Sequence, residues 1–212
     1  MFGENKANAN MTQLSLFEPC KTVFVDDARG QIVYTPGFVS EYEADHWFRE
    51  LRGAVEWKAE RRRMYDREID VPRLTARYRL DSSEEPLPPC LRLAAERVVL
   101  ALRVSFTSVG LNLYRSEKDS VAPHNDHLHE LAQGRPIAIL SLGATRRMTI
   151  RAKQPPRRAF HQGLERGSLF VMSYDTQIHY DHGIPKSDTP AGERISLAFR
   201  VRPGAPGATV RY

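Results

Sequence analysis

The segment Arg194-Ile195-Ser196-Leu197-Ala198-Phe199-Arg200-Val201 alternates without a break. Strand side chains point to opposite faces in turn. Ile195, Leu197, Phe199 and Val201 therefore share one side, and Arg194, Ser196, Ala198 and Arg200 the other. The first set demands a core. The second sets two guanidinium groups among small side chains. A buried arginine is costly unless an anion meets it, and its planar fork matches a carboxylate with two parallel hydrogen bonds. This face is a carboxylate receptor or, alternatively, an exposed strand face whose arginines meet only water.

Other segments carry the same signature. Leu111 to Arg115 alternates and puts Asn112 and Tyr114 on one face. Ile137 to Leu142 reads as a continuous buried-type strand, Gly143 to Arg147 reads as a turn into Met148 to Arg151, and a turn at Leu164 to Ser168 precedes Leu169 to Met172. Short strands with polar turns suit a sandwich or a barrel-like pair of sheets. Two helices come first. Ser40 three residues before Glu43 is a capping-box spacing for a helix to about Val55, with Phe38, Ala44, Trp47, Phe48 and Leu51 on its apolar side. After Pro86-Leu87-Pro88-Pro89, a second amphipathic helix runs from Leu91 to about Arg103, with Leu93, Ala94, Val98 and Leu102 apolar.

The 212 residues are enough for one domain, expected over 21–212 behind a flexible, polar N-terminal tail over 1–20. The two cysteines, Cys20 and Cys90, form no Cys-x-x-Cys pair and so no zinc knuckle; they fit the reduced thiols of a cytoplasmic protein. The start of the chain lacks the apolar core of a signal peptide, and no run of about 18 apolar residues offers a membrane span. A monomer is expected.

Chemistry enters at Pro123-His124-Asn125-Asp126. In an extended segment His124 and Asp126 point to the same side and can reach one metal ion. His182, in His179-Tyr180-Asp181-His182-Gly183, is the expected third ligand. Two histidines and one carboxylate leave open metal positions that suit non-haem Fe(II) and oxygen. Surface polar residues are the bland alternative. A second signal lies between Trp57 and Tyr78, where Arg62, Arg63 and Arg73 are interleaved with Tyr65 and Tyr78. Basic and aromatic residues together suit phosphate contacts and base stacking; a solvated loop with its aromatics packed inward is the alternative. Arg146 and Arg147, expected in a turn, extend this positive rim. The net charge of +5 favours a polyanionic partner, or is ordinary solvated surface.

Taken in order, Asn112-x-Tyr114, His124-x-Asp126, His182 and Arg194-x5-Arg200 resemble the AlkB family of Fe(II)- and 2-oxoglutarate-dependent dioxygenases, and most of all its members that repair alkylated nucleic acid. The similarity runs from about Pro36 to Val201 and includes Leu140-Ser141-Leu142-Gly143-Ala144-Thr145-Arg146 and Gly167-Ser168-Leu169-Phe170-Val171-Met172. It implies a mainly β fold, the double-stranded β-helix or jelly roll, with flanking helices. It implies that His124, Asp126 and His182 bind Fe(II), that Arg194 pairs with the far carboxylate of 2-oxoglutarate, and that Asn112, Tyr114, Ser196 and Arg200 line the same pocket. It further implies oxidative removal of alkyl groups from base nitrogens with O2 as oxidant, releasing succinate, carbon dioxide and formaldehyde. The partner would be alkylated nucleic acid, DNA ahead of RNA, beneath a substrate lid over 57–80. The rival substrates are a modified tRNA base or a protein side chain, and the rival class is a non-catalytic nucleic-acid-binding module. The chain departs from the family at His127-Leu128-His129, where repair members carry acidic residues that contact the damaged base. It departs again at Arg79-Leu80-Asp81, where they carry an aromatic segment. His127 and His129 read as loop histidines beside a complete triad.

Overall fold

The computed structural model describes residues 20–64, 67–82 and 86–203, with backbone alone at 62–64 and 67–69. The segment read as a tail lies outside the described residues up to residue 19, as does Tyr65. The chain opens with strands β1 (Thr22–Asp27) and β2 (Gly30–Thr35), helix α1 (Glu41–Ala54), strands β3 (Lys58–Met64) and β4 (Arg67–Arg79), and helix α2 (Pro89–Leu102). It continues through β5 (Ser108–Tyr114), β6 (Val121–His124), β7 (Ile137–Gly143), β8 (Arg146–Ala152), β9 (Ala159–Leu164) and β10 (Leu169–Met172). A short helix α3 (Thr176–His179) leads into β11 (Tyr180–Ile184), and β12 (Arg194–Arg200) is the last strand described.

The strands form two antiparallel sheets, one of eight strands in the order β1-β2-β10-β7-β12-β5-β4-β3 and one of four in the order β6-β11-β8-β9. The chain crosses repeatedly between them, as in a jelly roll. One crossing is at Gly143, whose φ of 80° favours glycine; a Cβ there would stand 2.5 Å from the Glu193 carbonyl oxygen and 2.8 Å from the Phe48 ring. The alternation of β12 sorts its residues as its sequence requires. Ile195, Leu197 and Phe199 join Trp47, Leu51, Leu91 and Val98 in a core between the large sheet and the two long helices. A second core, with Ile139, Ile150, Phe170 and Tyr180, lies between the sheets.

Helix α1 carries the expected capping box: the Glu43 backbone N–H donates to Ser40 Oγ, and Glu43 Oε2 accepts from the Ser40 backbone N–H. On α2 the buried side is Cys90, Leu91, Ala94, Ala95 and Val98. Leu93, expected on that side, is half exposed, because the stripe set by Leu91, Ala94 and Val98 turns it outward.

The basic segment between Trp57 and Tyr78, expected as a lid or alternatively a solvated loop, is built of strands; β3 and β4 pair at the edge of the large sheet, and β4 pairs on with β5. One expectation needs correction: Arg146 and Arg147 do not sit in a turn. They begin β8, opposite Leu164 and Gly163 of β9.

Candidate active site

The mouth between the two sheets is a cavity of about 1400 Å³. Its histidine-lined end is built by β6 and β11, whose antiparallel register sets His124 directly opposite His182. The two rings lie 4.6 Å apart between centroids. The Nδ1 of His124 is 2.9 Å from the Ala122 carbonyl oxygen. A hydrogen bond there fixes the ring and leaves Nε2 free for the cavity. His182 is buried; burial first, and then the His124 charge, push its pKa down to about 3, so it is a neutral imidazole. Asp126 follows on the same segment. Burial raises its carboxyl, but the Arg200 charge and hydrogen bonds outweigh it and the pKa is lowered. Asp126 is therefore ionised.

Arg200 was expected to line the cosubstrate pocket. It does border the cavity, but its guanidinium is committed to Asp126, with Nε donating to Oδ2 at 2.7 Å and Nη2 to Oδ1 at 3.0 Å. With Asp126 turned onto Arg200, no three histidine, cysteine or acidic side chains among the described residues converge closely enough to hold a metal ion. The chemistry of the donors nevertheless fits Fe(II): two imidazoles side by side, and an ionised carboxylate that keeps further lone pairs after accepting from Arg200.

Two residues that carried no sequence signal hold this segment in place. Gln177 is buried on α3, and its Oε1 accepts the Asp126 backbone N–H at 3.0 Å. Lys153 donates through Nζ to Asn125 Oδ1 at 2.8 Å and to the Gln177 carbonyl at 2.9 Å. No motif spacing marks either one, because both reach 124–126 from segments tens of residues away in the chain.

The deep end is built by β12, β5 and β7. Ser196 lies between Asn112 and Ser141 in the register of the large sheet, and all of Asn112, Tyr114, Arg194 and Ser196 line the cavity. Arg194 is 1% exposed, which excludes the reading of β12 as a water-facing strand. Its Nη2 donates to Ser141 Oγ at 2.9 Å, and its guanidinium carbon lies 5.2 Å from the Tyr114 ring centroid. Its Nε and Nη1 are buried with no hydrogen-bond partner among the described residues. Burial lowers its pKa, with Arg146 contributing in the same direction. Two orphaned donors on one buried guanidinium fit a carboxylate. Asn112 accepts from Arg73 Nε at 2.7 Å, and Arg73 Nη1 reaches the Ser120 carbonyl at 3.3 Å. Arg73 thus borders the cavity and ties β4 to the turn before β6.

The remaining substrate residues divide. For Arg62 and Arg63 the backbone lies in β3, opposite Ile69 and Glu68; their side chains are outside the described residues. Tyr78 borders the cavity but packs, with Leu74, Ala76 and Leu80, against the helix-side core. Arg147 is exposed on β8 and does not line the cavity. Arg146 is not a rim residue at all; it is 3% exposed and its guanidinium is held by three backbone carbonyls. The sequence contained the signal for this. Arg146 has the same parity as Met148 and Ile150, the inward side chains of β8. His127 borders the cavity, with its ring 5.5 Å from that of His129.

Comparison with known proteins places this architecture. The model of the 2OG-Fe(II) oxygenase superfamily matches residues 31–200. The chain is 36% identical over 193 residues to alpha-ketoglutarate-dependent dioxygenase alkB homolog 3 of Homo sapiens, covering 82% of this chain and 67% of that protein. It is 35% identical over 198 residues to the same protein of Bos taurus, covering 84% of this chain and 68% of the relative. It is 33% identical over 178 residues to the DNA oxidative demethylase ALKBH2 of Bos taurus, covering 74% of this chain and 64% of the relative. The solved structure of OsALKBH1 superposes with a TM-score of 0.61 at 14% identity, over 85% of this chain and all of that one, which speaks to the fold alone.

Proposed function

This chain belongs to the AlkB family within the 2OG-Fe(II) oxygenase superfamily, and from that premise we propose that it removes alkyl groups oxidatively from the nitrogens of bases in nucleic acid. As a member it is an Fe(II)- and 2-oxoglutarate-dependent dioxygenase that consumes O2. DNA is the first substrate to test, because one relative is named a DNA oxidative demethylase. The observation that carries the reading is the fully buried Arg194, with two unpartnered donors, in the same cavity that His124 and His182 face across β6 and β11.

In this reading His124, Asp126 and His182 hold the iron. When bound, iron with 2-oxoglutarate and O2 supplies decarboxylation of the cosubstrate and transfer of an oxygen atom to the alkyl carbon. The chain's residues supply position. Ala122 orients His124, and Gln177 and Lys153 fix the backbone on either side of Asn125. Arg200 keeps Asp126 ionised. Arg194 takes the far carboxylate of 2-oxoglutarate with the two donors it has free, and Ser141 prevents the guanidinium from turning away. Asn112, Tyr114 and Ser196 shape the walls around it. The β3–β4 hairpin overhangs the cavity and presents Arg73 and Arg77; it is the surface to which we assign the nucleic acid.

The test is release of formaldehyde and succinate by the purified protein with Fe(II), 2-oxoglutarate and oligonucleotides carrying N-methylated bases. Release of both in equal amounts, on the methylated strands only, is the expected result. Succinate release without formaldehyde on every alkylated DNA and RNA strand would reject the substrate class.

A further inference from the structure

We propose that Arg146 is a positioning residue for the cosubstrate, acting through Tyr114 to make the deep end of the cavity selective for a ligand with a second carboxylate. The proposal rests on the reading of Arg194 as carboxylate receptor and extends it to a residue that never reaches the cavity. Tyr114 lines the cavity and Arg146 does not. The Arg146 guanidinium carbon stands 5.6 Å from the Tyr114 ring centroid, and that of Arg194 stands 5.2 Å from the same centroid. One phenol ring is therefore fixed against two buried cations.

The other contacts of Arg146 explain why it cannot swing away. Its Nη1 donates to the Ser116 carbonyl at 2.8 Å, and its Nη2 donates to the carbonyls of Asp119 at 2.8 Å and Pro185 at 2.9 Å. Ser116 and Asp119 belong to the turn between β5, which carries Asn112 and Tyr114, and β6, which carries His124. Pro185 directly follows β11, which carries His182. Arg146 itself opens β8 in the small sheet, whereas Tyr114 is in the large one. It therefore bolts the two sheets together at the cosubstrate end.

Its charge also stays in place. All three acceptors are neutral carbonyls, and the nearby Asp119 carboxylate is already bound by Arg115 Nε at 2.8 Å and Nη2 at 2.9 Å. The deep end thus holds the Arg194 and Arg146 cations together, with two carboxylates near Arg146, that of Asp119, itself paired, and that of Glu117. Positive potential in a water-poor pocket favours a second negative group on the ligand.

The experiment compares two 2-oxo acids that are alike at the metal-chelating end. 2-Oxoglutarate has the far carboxylate, and 2-oxovalerate has a methyl group in its place. Dissociation constants are measured by calorimetry without oxygen, on the full chain with Mn(II) replacing iron. In Arg146→Met, binding of 2-oxoglutarate should weaken about tenfold or more, one step of free energy being worth that factor, while 2-oxovalerate changes little. The affinity ratio therefore falls. Arg146→Lys keeps a charge but not the planar fork; it should lower the same ratio by less, and it serves if the methionine variant does not fold. Equal losses for both acids, or none for either, overturn the proposal. Arg194→Met separates the two readings. It must collapse the ratio by itself; if it does not, the receptor reading fails. If it does and Arg146→Met leaves the ratio intact, only the present inference fails.

Discussion

Replacing Arg200 with methionine tests the electrostatics of the metal-binding segment. Methionine keeps much of the length and apolar bulk and removes the charge. In the wild-type chain two guanidinium donors meet the two Asp126 oxygens at 2.7 and 3.0 Å, with side chains 16% and 15% exposed. Removing one partner of a fully buried pair costs roughly 3–5 kcal/mol, because the other charge is stranded. With some solvent reaching both groups, about 2–3 kcal/mol is the reasoned expectation here. The sign with pH follows from the lowered Asp126 pKa. A depressed carboxyl contributes stability above its ordinary value, and that contribution is lost as pH falls through the folded-state pKa. The deficit of Arg200→Met should therefore be full at neutral pH and close as the solution becomes more acidic than the ordinary carboxylate range. Urea denaturation of both chains at a series of pH values, without metal, measures it. A deficit below about 0.5 kcal/mol at neutral pH, within the range of ordinary surface changes, would refute the reasoning. So would a deficit that does not depend on pH.

His124→Ala, Asp126→Ala and His182→Ala should each abolish turnover and Co(II) binding followed by absorbance, while His127→Ala and His129→Ala keep both; loss of binding in His179→Ala instead of His182→Ala would move the third ligand. Gln177→Ala should weaken metal affinity by about 10–100-fold, the range for a lost orienting partner, with circular dichroism unchanged. Tyr78→Ala should lower thermal stability by about 1–3 kcal/mol, less than a fully buried aromatic, and leave the Michaelis constant for an alkylated oligonucleotide nearly unchanged. A selective loss of substrate binding in that variant would return Tyr78 to the cavity face.

Local periodicity made much of the fold legible. The alternation of Arg194 to Val201 and of Leu111 to Arg115, and the Ser40–Glu43 capping box, depend on contacts within one element, so they survive translation into structure unchanged. Face assignments failed where strand boundaries were misplaced. Reading 143–147 as a turn put Arg146 and Arg147 together on a rim; as neighbours in one strand they point opposite ways, one into the protein and one into water. Other features are tertiary by nature. Sheet pairing brings His182 opposite His124, and side-chain hydrogen bonds from outside the strands bring Gln177 to the Asp126 N–H and Lys153 to Asn125, across separations of tens of residues. Whether an arginine meets an anion, a carbonyl or solvent depends on burial. For Arg194, Arg146 and Arg200, which share one side-chain chemistry, only the folded chain distinguishes one with donors to spare, one held by three backbone carbonyls and one paired with an acid.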